Sequence, residues 1–396
     1  MKNKVSSYDI LVLGGGIAAC AMAIAAKNTS PSKKIAIVER KPRFDKNDKF
    51  YLRIGETLSP HATQILQQLG VWEAFLQLNC KRSYGTSAAW GSSQAHQNEF
   101  IYSPFGYGWH LDRVQFDEFM ISEAEKRGVE FMFETHVYSF KREHDIWRIK
   151  GKTSEKNVEV QCNFVADATG RKAVFASNQG SKKQVLDKLV GIYQFYKIHS
   201  EEKKIKQGTF IESDANGWWY SATLPNDHLV VAYMTDSDLA TQNAWKNHRC
   251  FQELLKQTKH TQKRLSNTEE LGEPQLAAAH SQILDEIVGD HWLTLGDATM
   301  SFDPLSSLGI YKALSGSIYG AYAALDCLKG EPRGLQKYDQ IMRVQYQNYL
   351  KKRDDHYSEE IRFKEFPFWN RRIKQLHKTN MNQITNTTNY ETIDVL

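Results

Sequence analysis

Tyr8-Asp9-Ile10-Leu11-Val12-Leu13-Gly14-Gly15-Gly16-Ile17-Ala18-Ala19 is the stretch that decides the fold. Its first six residues read as a buried strand, and the glycines then turn the chain into a helix. That helix is expected from Ile17 to Lys27, through the small residues Ala18, Ala19, Ala21, Ala23, Ala25 and Ala26. A second apolar strand, Lys34 to Val38, ends at Glu39 and completes a short βαβ unit. A helix N-terminus offers unpaired N–H groups and the positive end of a dipole, so Ile17 and Ala18 stand where a diphosphate is favoured. Gly14 permits the tight turn, Gly16 lets a phosphate approach the backbone, and Ala19 replaces a third glycine at the helix–strand contact. Glu39 can accept hydrogen bonds from a ribose 2′-hydroxyl and would repel a 2′-phosphate, which disfavours NADP. Arg40 is placed either over an adenine or in solvent.

Far downstream, Trp292-Leu293-Thr294-Leu295-Gly296-Asp297-Ala298 is another apolar strand, ending in Gly-Asp-Ala. Asp303-Pro304-Leu305-Ser306-Ser307-Leu308-Gly309-Ile310 follows at once. Asp297 can bind ribityl hydroxyls or cap the next helix. Gly309 and Ile310 open a helix expected to reach Leu328, with N–H groups available to the N1/O2 edge of a flavin. Negative charge collects there on reduction, and a helix dipole stabilises it. A nucleotide held at both ends points to FAD, and so to an oxidoreductase. No second glycine-rich βαβ unit is present for NAD(P)H, so electrons must come from transient nicotinamide binding or from a separate flavin reductase.

The chain has 396 residues, more than one compact core usually holds, so two lobes are expected. The fold class is α/β with an α+β second lobe: a Rossmann-like FAD-binding domain, an antiparallel-sheet substrate domain and a C-terminal helical segment. Residues 1–80, 101–185 and 276–330 are assigned to the first domain. Residues 81–100 and 186–275 go to the second, on the alternating patterns of Leu189–Tyr196, Thr209–Ile211, Trp218–Thr223 and Leu229–Thr235. Residues 331–378 read as helical and 379–396 as a mobile Asn/Thr-rich tail. Val137 begins a strand expected beside the cofactor.

Lys and Arg total 51 against 46 Asp and Glu, a mixed surface that excludes a nucleic-acid footprint. Five scattered cysteines make no metal-ligand pattern and read as reduced thiols of a cytoplasmic protein. Neither a secretory signal nor an apolar run long enough for a membrane span is read from the sequence.

These blocks, with Ile54-Gly55-Glu56-Thr57-Leu58-Ser59-Pro60 and Asp167-Ala168-Thr169-Gly170-Arg171, resemble the flavin-dependent monooxygenases and tryptophan halogenases of the glutathione-reductase-like FAD superfamily. Tyr357–Arg362 and Pro367-Phe368-Trp369 resemble the C-terminal region of tryptophan-halogenase relatives. The resemblance implies that Gly55, Glu56 and Arg113 lie beside the cofactor, and that Pro304, Ser306 and Ser307 line the reaction face of its ring. It also implies a flavin C4a-hydroperoxide that hydroxylates an electron-rich ring with O2.

Within the superfamily the chain is most similar to flavoproteins that modify a tryptophan in a partner, serving cysteine tryptophylquinone biosynthesis in amino-acid oxidases. On that reading the substrate is a tryptophan of a quinoprotein oxidase precursor, and Trp218 and Trp219 of the Trp218-Trp219-Tyr220 cluster face it. The alternatives are a halogenase or small-molecule aromatic hydroxylase, and an assembly factor without oxygenation. Halogenases carry Trp-x-Trp-x-Ile-Pro, and the stretch Gly217–Pro225 has different spacing. They also need a lysine past the Gly-Glu block, where Lys81 and Arg82 stand. No catalytic acid or base is assigned among His61, His96, His110 and His280.

Overall fold

The computed structural model describes residues 6–44, 52–100, 104–199 and 208–374. The expected tail, 379–396, lies outside them. The first strand, Ser6–Leu13, is flanked in parallel by Ile35–Val38 on one side and Asn157–Asp167 on the other. Glu130–Met132 extends the sheet beyond Ile35–Val38, and Trp292–Thr294 extends it beyond Asn157–Asp167, again in parallel. The outer strands are antiparallel: His136–Glu143 and Ile146–Lys152 fold onto Asn157–Asp167, and Val288–Gly289 pairs with Trp292–Thr294. The mixed α/β class is the one expected.

Parallel strands covered on both faces must be apolar throughout, and Ile10–Leu13 and Ile35–Val38 are buried residue by residue. The helix Ile17–Thr29 is buried from Ala19 to Ala26, and its small side chains let it lie close against the helix Gly309–Leu328. Both helices therefore start at the same end of the sheet, where the strands leave their C-terminal ends. That is where open α/β sheets bind ligands.

A second sheet runs in the order Thr268–Ala278, Leu189–Ile198, His228–Asp236, Gly217–Leu224, Thr209–Asp214, Gly85–Ala89, His96–Glu99. All its pairings are antiparallel except that of Thr209–Asp214 with Gly85–Ala89. It carries its own core, centred on Trp218, Trp219, Tyr233 and Phe251. The 27-residue helix Arg333–Glu359 joins the two cores. Its Leu335, Tyr338 and Met342 pack on the first, and its Tyr357 packs on the second together with Phe368 and Trp369. No helix among the described residues is long and apolar enough to cross a membrane.

Candidate functional site

A cleft of about 690 Å³ opens between the ends of the two sheets. That is the size of sites that hold a dinucleotide or drug-sized ligand. At one end Gly14, Gly16, Ile17 and Ala18 line it together with Glu39 and Arg40. Gly14 has a φ of +97°, and a Cβ there would stand 2.4 Å from the Ala168 carbonyl oxygen. Gly16 is the opposite case: a Cβ would meet no protein atom within 4 Å. The glycine thus faces open space in front of a helix end that no side chain caps. The Glu39 carboxylate braces the turn, accepting from Gly15 N at 2.5 Å and Lys41 N at 2.8 Å. Lys41, Arg43, Arg171 and Lys172 add positive charge to the rim.

At the other end Asp297, Pro304, Ser307, Gly309 and Ile310 line the cleft. Gly309 also faces open space, and the helix it begins has no side-chain cap. By contrast Asp112 caps the helix Arg113–Lys126, accepting from Val114 N at 3.0 Å and Gln115 N at 3.1 Å. Burial raises the Asp297 carboxyl, but the Lys312 ammonium and the Arg171 guanidinium outweigh it and hold the group below the usual carboxylate range.

Gly55, Glu56, Arg113 and Val137 form the walls between. Arg113 donates to the Gly55 carbonyl at 2.6 Å and to Asp117 at 3.1 Å, so it fixes the Gly-Glu block. Asp167 builds the turn behind Gly14 by accepting from Thr169 N at 2.9 Å, Thr169 Oγ1 at 2.6 Å and Ala176 N at 2.9 Å.

Five expected residues are not on the cleft surface. Ala19 and Gly296 are buried behind it: Ala19 has no exposed surface, and a Cβ on Gly296 would stand 2.9 Å from that of Ala18. Trp218 and Trp219, expected to face substrate, are fully buried. Trp218 lies under Trp90 and Tyr357 and donates to the Tyr357 hydroxyl at 3.1 Å. Trp219 points to the opposite face of the sheet, against Tyr233 and Phe251. Ser306 is turned into its own loop and donates to the Asp303 carbonyl at 2.9 Å.

Tyr220 is the member of that cluster that reaches the cleft. It donates to Glu56 Oε1 at 2.5 Å and lies 2.8 Å from Thr57 Oγ1, tying the second sheet to the Gly-Glu block. Glu56 is buried, and burial raises its carboxyl against the lowering effect of Tyr220. Gly191, Tyr193, Val230, Ala232 and Met234 add a largely apolar wall.

Two charged groups went unread in the sequence. Asp303 lines the cleft and accepts from Tyr357 at 2.7 Å; burial, with Asp187 nearby, raises it to about 6. Lys312 lies beneath Asp297, and the signal for it was a lone charge in the apolar run Gly309–Leu325.

Of the histidines, His136 lines the cleft, while His110 is buried 3.0 Å from Thr209 Oγ1. Burial first, then Arg264 and Lys81, bring the His110 imidazole down to about 4. An unfolded histidine takes its proton near pH 6.5, so the stability contributed by the neutral ring is intact above that value. It is lost as the pH falls from there towards 4, by about 3 kcal/mol in all. Asp303, raised to about 6, acts in the opposite sense. Urea midpoints at neutral pH and at about pH 4.5 should therefore fall further for the wild type than for His110→Gln; equal falls would contradict the assignment.

Comparison with known proteins makes the chain a FAD-dependent oxidoreductase. The chain belongs to the tryptophan halogenase family, whose sequence model matches residues 80–392. It is 28% identical over 372 residues to a protein of Marinomonas mediterranea named "Putative FAD-dependent oxidoreductase LodB", covering 93% of this chain and 97% of that one. It is 23% identical to the 1H-pyrrole-2-carbonyl-(peptidyl-carrier protein) brominase of Pseudoalteromonas luteoviolacea, covering 83% and 80%.

Among solved structures, the flavin-dependent halogenase CmlS superposes with a TM-score of 0.81 at 20% identity, over 96% of this chain and 71% of that one. The peptidyl tryptophan dihydroxylase QhpG, essential for tryptophylquinone cofactor biogenesis, superposes with a TM-score of 0.67 at 21% identity, over 93% and 79%. Halogenation thus has broader support among the relatives than the hydroxylation expected from the sequence.

Proposed function

We propose that this protein acts on an electron-rich aromatic ring with an oxidant derived from O2, and that halogenation is the first reading of its chemistry. The observation that carries the aromatic reading is the cleft itself: a basic, glycine-floored end meets an apolar wall in one continuous space. Family membership supports halogenation.

Bound and reduced, FAD supplies the reaction with O2. Gly14, Gly16, Ile17 and Ala18 would hold the diphosphate, Glu39 the ribose, Asp297 the ribityl chain, and Gly309 and Ile310 the ring end. Tyr193, Val230, Ala232 and Met234 exclude water and give an aromatic ring an apolar surface. The Tyr220–Glu56 pair is a buried polar point on that surface. Electrons come from a flavin reductase or directly from NAD(P)H.

A specific observation favours a second reading, hydroxylation of a protein-bound tryptophan. Lys81 and Arg82, the cations standing where halogenases handle hypohalous acid, are not among the residues lining the cleft. Lys81 reaches towards Asp227 at 3.9 Å, and the Arg82 guanidinium lies 4.6 Å from the centre of the Tyr107 ring. The likeness to QhpG supports the same reading, and likeness to the carrier-protein brominase also supports a substrate attached to a protein.

The test supplies the FAD-loaded protein with a flavin reductase, NADH and O2. It offers a carrier-bound pyrrole and a tryptophan-containing quinoprotein precursor, each with and without bromide, and reads intact masses. Halogen in place of hydrogen supports the first reading, and halide-independent gain of oxygen the second. Unchanged masses overturn both.

A further inference from the structure

Lys312 is a cation where neither packing nor helix stability calls for one. It lies in the first turn of Gly309–Leu328, where a positive charge opposes the helix dipole. Its side chain is 1% exposed, and taking an ammonium out of water is costly unless the group is well paired. Methionine would fill the same space without that cost.

The ammonium donates to Asp297 Oδ1 at 2.7 Å and to the Met300 carbonyl at 2.5 Å, and it stands 5.0 Å from the centre of the Phe302 ring. Its partner is placed differently: the Asp297 side chain is 44% exposed and lines the cleft, as does Phe302. One half of the ion pair faces the core and the other half faces the ligand space.

We infer that Lys312 is a positioning residue of the flavin site, which locks the orientation and charge of Asp297 and sets a positive charge behind the cleft wall that Asp297 forms. With Oδ1 engaged from below, Asp297 Oδ2 is left towards the cleft and Arg171, whose Nε is 3.9 Å away. An ionised, fixed carboxylate accepts ribityl hydroxyls without being reoriented when they arrive. The buried ammonium, together with the helix end at Gly309, favours the extra negative charge of a reduced flavin. Burial, with Arg171 adding to it, pulls the Lys312 pKa down, and the Asp297 carboxylate works against that fall.

The inference rests on FAD occupying this cleft, and two substitutions separate its parts. Lys312→Met removes both the donor and the charge, whereas Lys312→Gln keeps an N–H donor near Asp297 and removes only the charge. Circular dichroism and thermal melts of the flavin-free proteins establish that each variant is folded. FAD affinity is measured by titration, and the flavin midpoint potential by dye equilibration at saturating FAD.

Lys312→Met should bind FAD about ten-fold or more weakly, the scale of one lost charge-assisted hydrogen bond, with Lys312→Gln in between. In both variants the potential should move to more negative values. Native affinity and native potential in a folded variant would overturn the inference, because an ion pair that only fastened the helix to the Gly296–Ala298 turn would leave the potential where it was. If either variant does not fold, the other decides. Failure of the wild type to take up FAD would sink the placement of the cofactor instead.

Discussion

Asp297→Ala should purify without flavin and should bind added FAD at least about 100-fold more weakly than the wild type. Two losses combine at one position. The carboxylate that lines the cleft is removed, and the Lys312 ammonium loses the partner 2.7 Å away. Removing one member of a buried pair is usually severe, but here it is moderated because the Asp297 side chain is 44% exposed. Lys312 can also give up its proton once its partner is gone, since burial already pulls its pKa down. The variant should therefore fold, and its defect should appear as a missing cofactor. Flavin-to-protein ratio, followed by FAD titration, checks this. A yellow variant with the wild-type ratio would place the cofactor elsewhere.

Gly16→Val and Gly14→Ala should fail in opposite ways, although they change neighbouring glycines of one turn. Gly16 has an ordinary φ of −79° and open space before it, so valine fits the flavin-free protein at a cost within about 1 kcal/mol. The added methyl groups occupy the place of the diphosphate, and FAD affinity should fall at least about 100-fold. Gly14 has a φ of +97°, and a methyl group would be driven into the Ala168 carbonyl. Gly14→Ala should cost about 3 kcal/mol or more of folding stability, with loss of FAD as a consequence. Urea unfolding of flavin-free protein separates the two. Equal stability losses would mean that the turn is shaped by contacts other than these.

What could be read in advance was what depends on local sequence. The glycine turn, Glu39, and the helix opening at Gly309 are fixed by residues close together in the chain, and all reach the cleft. What could not be read depended on distant segments.

Strand alternation puts Trp218 and Tyr220 on one face, yet only Tyr220 meets the cleft, because Trp90 and Tyr357 cover Trp218. Those covering residues come from more than a hundred positions away on either side. Ala19 and Gly296 illustrate a related limit: their small size serves contacts behind the cleft surface, which spacing does not distinguish from contact with a ligand. Lys312 is a lone charge in an apolar helix that went unread, because its partner lies across a loop and only the fold brings them together.

The most direct test is titration of flavin-free protein with FAD, alongside FMN and ADP, each of which carries only one end of the cofactor. The expected result is one FAD bound per chain, with FMN and ADP both binding far more weakly, because the glycine turn at Gly16 and the helix start at Gly309 act on a single molecule. No uptake of FAD, or FMN binding as tightly as FAD, would contradict a cofactor held at both ends.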